Sequence, residues 1–197
     1  MISTLCVFCG SSMGRQPLYA SQAVMLAEYL LTKNIALVYG GANVGLMRVL
    51  ADTMLAGGGK VVGVMPKSLV EREVAHDGLT EMHIVAGMQE RKAMMADLSD
   101  AFIALPGAYG TLDEIFEILT WNQLGIIKKP IGLLNVDSFF DPLLRMLDHA
   151  VKEKFLRPEH RELLLDGVNI VHLLRDLEQY KPVIAEKWIE RLKVGEI

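Results

Sequence analysis

Short, unbroken apolar runs recur along this chain with long segments between them: STLCVFC (3–9), IALVYG (35–40), KVVGVM (60–65), AFIAL (101–105) and PIGLLN (130–135). Runs of this length that are apolar throughout, rather than at every second residue, belong to strands covered on both faces. The intervening segments carry helical periods, near 17–32, 45–57, 88–99, 110–124 and 138–153. Strand and helix in alternation build βαβ units, so the expected fold is α/β, a doubly wound parallel sheet with helices on both faces. A weaker strand is expected at 82–86 (MHIVA) or at 168–171 (VNIV). No repeat, low-complexity tract or linker divides residues 1–197, which read as a single domain.

Composition narrows the function. No apolar run approaches the roughly 20 residues that span a bilayer, and the N-terminal apolar stretch breaks off too soon for a cleavable leader. The reading is a soluble, cytoplasmic protein with no membrane partner. The formal net charge of −4 speaks against nucleic acid, which needs a clustered basic face, but not against a small anion held by one or two cations. Cys6 and Cys9 form a CxxC on an expected strand, where positions three apart face opposite sides. With no second Cys/His pair at ligand spacing, they read as two buried thiols and no metal is expected.

Glycine placement says more. The first strand ends in CGSSMG (9–14), the second in YGGANVGLM (39–47), and the AFIAL strand in LPGAYGT (105–111). Ligands of open parallel sheets collect outside the carboxyl ends of the strands. These loops would therefore bring Gly10, Ser11, Ser12, Gly40, Gly41 and Gly45 to one crevice as contacts. GGANVG is no GxGxxG, so the nucleotide signal lies in the three loops together.

The stretch PGAYGTLDE (106–114) admits two readings. Thr111 could cap a helix, with Glu114 three residues on completing a capping box, and Asp113, Glu114 and Glu117 suit a helix N-terminus. Alternatively, the free N–H groups at the helix start bind a phosphate, with glycines allowing close approach. A phosphate beside three acids needs a cation; Arg91 and Lys92, opening the preceding helix, are either that pair or a solvated face.

In this order the segments resemble the Lonely Guy (LOG) family, cytokinin riboside 5′-monophosphate phosphoribohydrolases long labelled lysine decarboxylases. The likeness rests on an Arg-Lys pair (Arg91, Lys92) ahead of a strand and a PGGxGTxxE motif after it, here PGAYGTLDE, and on VFCGSS and YGGANVGLM. It implies a Rossmann-like nucleotide-binding fold and hydrolysis of the N-glycosidic bond of a nucleoside 5′-monophosphate, AMP or a cytokinin riboside monophosphate, without a cofactor. It also implies a homodimer, which the wide apolar circumference of 114–127 suits. Carried over, Arg91 and Glu114 are the catalytic pair, and Glu73, Arg91, Lys92, Ala108, Tyr109, Gly110, Thr111, Leu112, Asp113, Glu114 and Thr120 bind substrate. A carboxylate can stabilise the oxocarbenium character of such a cleavage or activate water; Arg91 can hold substrate oxygens or orient Glu114. Nothing marks a pyridoxal-phosphate lysine with its ring-nitrogen partner.

The chain departs from the family pattern twice. Ala108 stands at a motif glycine, where a positive φ would strain it or its methyl would crowd the phosphate; Arg48 replaces the glycine after GLM, either on a helix rim or in contact with ligand. The competing reading is therefore a non-catalytic nucleotide- or cofactor-binding protein of the same fold.

Overall fold

The structure is a computed structural model that describes residues 1–70 and 75–182. In chain order the elements are β1 Thr4–Phe8, α1 Pro17–Lys33, β2 Ala36–Tyr39, α2 Gly45–Ala56, β3 Val61–Pro66, α3 Lys67–Val70 and β4 Glu81–Val85. There follow α4 Met88–Asp97, β5 Ala101–Ala104, α5 Tyr109–Gln123, β6 Ile131–Leu134, α6 Asp141–Lys152, α7 Pro158–Arg161, β7 Leu164–Gly167 and α8 Ile170–Glu178. The strands pair in the order β4-β3-β2-β1-β5-β6-β7, every neighbouring pair parallel.

Alternation along each strand divides the core into two layers. Leu5, Val7 and Cys9 of the β1 region, with Leu37 and Tyr39 of β2, face α1, α2 and α8. Cys6, Phe8 and Val38 face the opposite way, toward Met95 of α4 and Ile115 and Ile118 of α5. The two cysteines are buried, free thiols on opposite faces. Burying both faces is what makes the sequence of these strands continuously apolar.

Strand order reverses between β1 and β5. From β1 the chain winds outward through β2, β3 and β4, then returns to pair β5 with the other edge of β1, Cys6 opposite Phe102 and Phe8 opposite Ala104. At the far end of this pair the Asp100 carboxylate accepts from Ser3 N (2.9 Å), Ser3 Oγ (2.7 Å) and Thr4 N (3.0 Å). At the carboxyl ends the loops after β1 and β5 part around a crevice, the place where doubly wound folds take ligands.

Of the two alternatives for a weaker strand, 82–86 holds, as the edge strand β4. VNIV does not: Asn169 Oδ1 accepts from Val171 N (3.0 Å) and His172 N (3.1 Å), so this segment starts α8 and the last strand is LLDG (164–167). Such capping is a strong local preference of asparagine, and it overrides the β-branched residues around it.

Candidate functional site

A cavity of about 380 Å³ opens at the crevice. The loop after β1 supplies Gly10, Ser11 and Ser12, the residue after β2 is Gly40, the loop into α5 supplies Gly107 and Ala108, and the first turn of α5 supplies Gly110 and Thr111. Arg91 and Glu114 form its charged part, and the side chains of Met13, Tyr19, Met47, Met88 and Phe139 form apolar walls.

Arg91 sits in the first turns of α4, where the helix dipole disfavours a cation. Its partners explain the position. Nε donates to Val64 O of β3 (3.0 Å) and Nη2 to Gly40 O beyond β2 (3.2 Å), while Nη1 lies 3.7 Å from Met88 Sδ. The guanidinium is thus fixed by two strand ends, and only 7% of the residue is exposed. A Cβ at Gly40 would collide with Nη2, so a bare backbone is required there. Nη1 stands 3.9 Å from Glu114 Oε1, and Glu114 is itself 9% exposed.

Glu114 is the sixth residue of α5, not the third, because the helix begins at Tyr109 with Ala108 as its N-cap. The expected capping box is therefore absent: Thr111 is the third helical residue, buried beside the cavity, and alanine offers no side-chain oxygen to the N–H groups of Tyr109, Gly110 and Thr111. Leu112 N is the first to bond back, to Ala108 O (3.0 Å). These three backbone donors and the positive end of α5 are thereby free of side-chain capping, with Gly110 and Thr111 lining the cavity itself, an arrangement suited to an anion.

Ala108 has φ −110, so the left-handed strain considered for it does not arise. The tight approach is one residue earlier, where a Cβ on Gly107 would meet Thr111 Oγ1 and come within 3.0 Å of Gly10 N. Arg48 stands on the rim of α2, its Nε 3.2 Å from Asp52 Oδ2.

Other expected positions are dispersed. Gly41 and Gly45 lie outside the cavity lining; Gly45, with φ +54, packs against the backbone of Ser11 and Ser12 and holds the β1 loop from behind. Tyr109 is 91% exposed, and Leu112 packs into the core layer under α5. Lys92 points away from the cavity to Asp113 (3.1 Å) and Glu117. Burial disfavours its ammonium, but the hydrogen bonds to Glu117 and Asp113 outweigh this and its pKa is raised. Thr120, whose Oγ1 donates to Phe116 O (2.7 Å), lines a separate groove between α5 and α6. Glu73 lies outside the described residues.

Tyr19, Phe139, the three methionines and Cys9 are cavity residues that the glycine pattern did not disclose. The FF pair just beyond the sixth strand was an available signal, since its loop leaves from the same edge of the sheet. Burial, and then the charge of Glu114, push the Cys9 thiol far above its ordinary pKa, which makes it part of a wall and no nucleophile. Among the described residues no group of three His, Cys, Asp or Glu could hold a metal, and no helix is long and apolar enough to cross a membrane.

Fold and cavity define a Rossmann-like α/β protein with an acid–guanidinium pair beneath an uncapped helix N-terminus. A family model described as "possible lysine decarboxylase" matches residues 47–177. The cytokinin riboside 5′-monophosphate phosphoribohydrolase LOG7 of Arabidopsis thaliana is 48% identical over 182 residues, 92% of this chain and 84% of the relative. The enzyme LOG of the same description from Oryza sativa subsp. japonica is 49% identical over 178 residues, 90% of this chain and 74% of the relative. The chain belongs to this family, the Lonely Guy (LOG) proteins. Among solved structures, the molybdenum cofactor binding protein from Rippkaea orientalis superimposes with a TM-score of 0.67 at 21% identity, over 91% of this chain and 97% of that one. The molybdenum cofactor carrier protein from Chlamydomonas reinhardtii gives 0.67 at 17%, over 91% and 98%. At these identities the likeness is one of fold.

Proposed function

We propose that the protein hydrolyses the N-glycosidic bond of a nucleoside 5′-monophosphate, AMP or a cytokinin riboside 5′-monophosphate, releasing free base and ribose 5-phosphate. The observation that carries this reading is the Glu114 carboxylate facing the cavity 3.9 Å from a guanidinium held rigidly by two strand ends. As the C1′–N bond breaks, its electron pair leaves with the base and positive charge builds on the ribose. A carboxylate beside C1′ stabilises that charge and takes a proton from water as the water oxygen bonds to C1′, and the departing nitrogen of the base takes up a proton in exchange. Arg91 orients the carboxylate. The N–H groups of Tyr109, Gly110 and Thr111 receive the 5′-phosphate, and the apolar walls receive the base. A cytoplasmic location, where nucleoside monophosphates are available, belongs to the same reading, as does a single domain over residues 1–197.

Incubation with AMP and with a cytokinin riboside 5′-monophosphate, followed by chromatography, is expected to yield free base and ribose 5-phosphate, with adenosine a poor substrate. No release of base from either monophosphate would refute the enzyme; equal rates on AMP and adenosine would refute phosphate recognition.

The binding-only alternative drew on strain at Ala108 or on its methyl crowding the phosphate, and the negative φ removes the first of these grounds. Ala108→Gly is accordingly expected to leave the Michaelis constant unchanged or higher. Stability should fall by about 0.5–1 kcal/mol, because glycine loosens the unfolded chain without relieving anything in the folded one. A clearly lower Michaelis constant would show that the methyl crowds the ligand after all.

The protein is also read as a homodimer. Helix α6 has no buried residue, and Phe116 joins Leu147 and Leu156 along the groove between α5 and α6. Met146 and Phe155 are 63% and 91% exposed. An apolar face of this kind normally meets a partner, and Thr120, on that groove, could meet a substrate only across such an interface. Light scattering at micromolar concentration is expected to give twice the chain mass of 21.9 kDa. A mass equal to one chain would refute the dimer.

A further inference from the structure

We propose that Lys92 is a positioning residue that braces α4 against α5, and so holds Arg91 and Glu114 in register, rather than a ligand of the substrate phosphate. The inference rests on the phosphoribohydrolase reading. Arg91 and Lys92 are neighbours in sequence, but successive residues on a helix diverge by about 100°. Arg91 therefore enters the cavity while Lys92 leaves it for the side of α5. There its ammonium bridges two carboxylates one turn apart, Asp113 at 3.1 Å and Glu117. The Lys92 side chain is 13% exposed and that of Glu117 is 23% exposed.

Glu114 stands between those two carboxylates in sequence, on the turn that Lys92 grips. The far end of α4 is tied in the same manner. Lys129 Nζ donates to Ala96 O (2.8 Å), and Lys129 is itself held to α5 by Asn122, whose Nδ2 donates to Lys129 O (2.8 Å) and whose Oδ1 accepts from Lys129 N (3.1 Å). Two lysines thus join the helix of Arg91 to the helix of Glu114, one near each end. Charge excludes the alternative role: a phosphate at Lys92 would confront Asp113 and Glu117, with one ammonium against two carboxylates already in place. An ammonium engaged twice in this way has little left to offer a dianion.

The test is Lys92→Met, which keeps the length of the side chain and removes its charge, with Lys92→Arg as the conservative variant. Calorimetric titration with AMP counts competent sites and gives the dissociation constant, so that loss of turnover per site is separated from loss of fold. Lys92→Met is expected to lower kcat on AMP at least tenfold per competent site. The Michaelis constant, the dissociation constant and the ratio of kcat/KM for AMP over adenosine should stay within about twofold of wild type. Lys92→Arg, which can still reach both carboxylates, is expected to recover most of kcat. A rise of tenfold or more in the Michaelis or dissociation constant for AMP, with the AMP-over-adenosine ratio collapsing, would overturn the proposal and make Lys92 a phosphate ligand. An unchanged kcat in Lys92→Met would also overturn it. Should the wild type bind AMP but release no adenine, the enzyme reading fails and the bracing of a reacting pair fails with it. Wild type and Lys92→Met binding AMP equally would then still exclude Lys92 from the phosphate site.

Discussion

Glu114→Gln is expected to bind AMP like the wild type and to lose at least about 100-fold in turnover, the lower end of what a positioned acid–base group contributes. The amide matches the carboxylate in shape, so the packing of Ile115 and Ile118 beside it is undisturbed and the helix keeps its place. What disappears is the group that can accept a proton from water and face a positive C1′. The measurement is initial-rate release of adenine, with calorimetric binding of AMP as the control. Near-normal turnover in the variant would leave the carboxylate only its place beside Arg91.

Arg91→Ala is expected to abolish detectable turnover and to destabilise the protein. The substitution removes the donors to Val64 O and Gly40 O and the cation beside the Glu114 carboxylate, all in a buried setting. Breaking a buried ion pair by deleting one partner costs about 3–5 kcal/mol. In a chain of this length that lowers the melting temperature by roughly 10 °C. Arg91→Lys should regain part of the stability but little of the rate, because one ammonium cannot reach two carbonyls and a carboxylate at fixed angles. Differential scanning fluorimetry and the adenine assay decide the matter together. An alanine variant with wild-type melting and turnover would remove Arg91 from both roles.

The sheet was legible because its strands are buried on both faces, which writes an unmistakable apolar run into β1, β2, β3, β5 and β6. The edges were less so. LLDG at 164–167 has one buried residue, Leu164, and ends in two poor strand formers, whereas VNIV carried the β-branched residues and a cap. In the site, Gly10, Gly40 and Gly110 could be placed from the rule that small residues gather where ligands approach the strand ends. The start of α5 could not, since Thr111 looks like a cap by residue type, and only the backbone reveals that Ala108 occupies that position. Lys92 was out of reach for a similar reason: adjacency to Arg91 in the sequence conceals a divergence in direction. Phe139 and Tyr19, separated by 120 positions in sequence, touch edge to face at 6.1 Å, and no local pattern announces such a pairing.

The reversal of strand order between β1 and β5 bears on how this protein comes into existence. The two central strands are joined across nearly half the chain, and the cavity at their ends takes residues from Val7 through Phe139. Everything from β2 to β4 must be synthesised before β1 can acquire its second neighbour. Pairings between such distant segments bear a large loop-closure cost before contacts repay it, and they form slowly. An N-terminal fragment would leave the inner edge of β1 bare, an open template for strands of other chains. The cavity is therefore a late product of folding, and no contiguous piece of the chain short of β6 and the turn that follows it can enclose it.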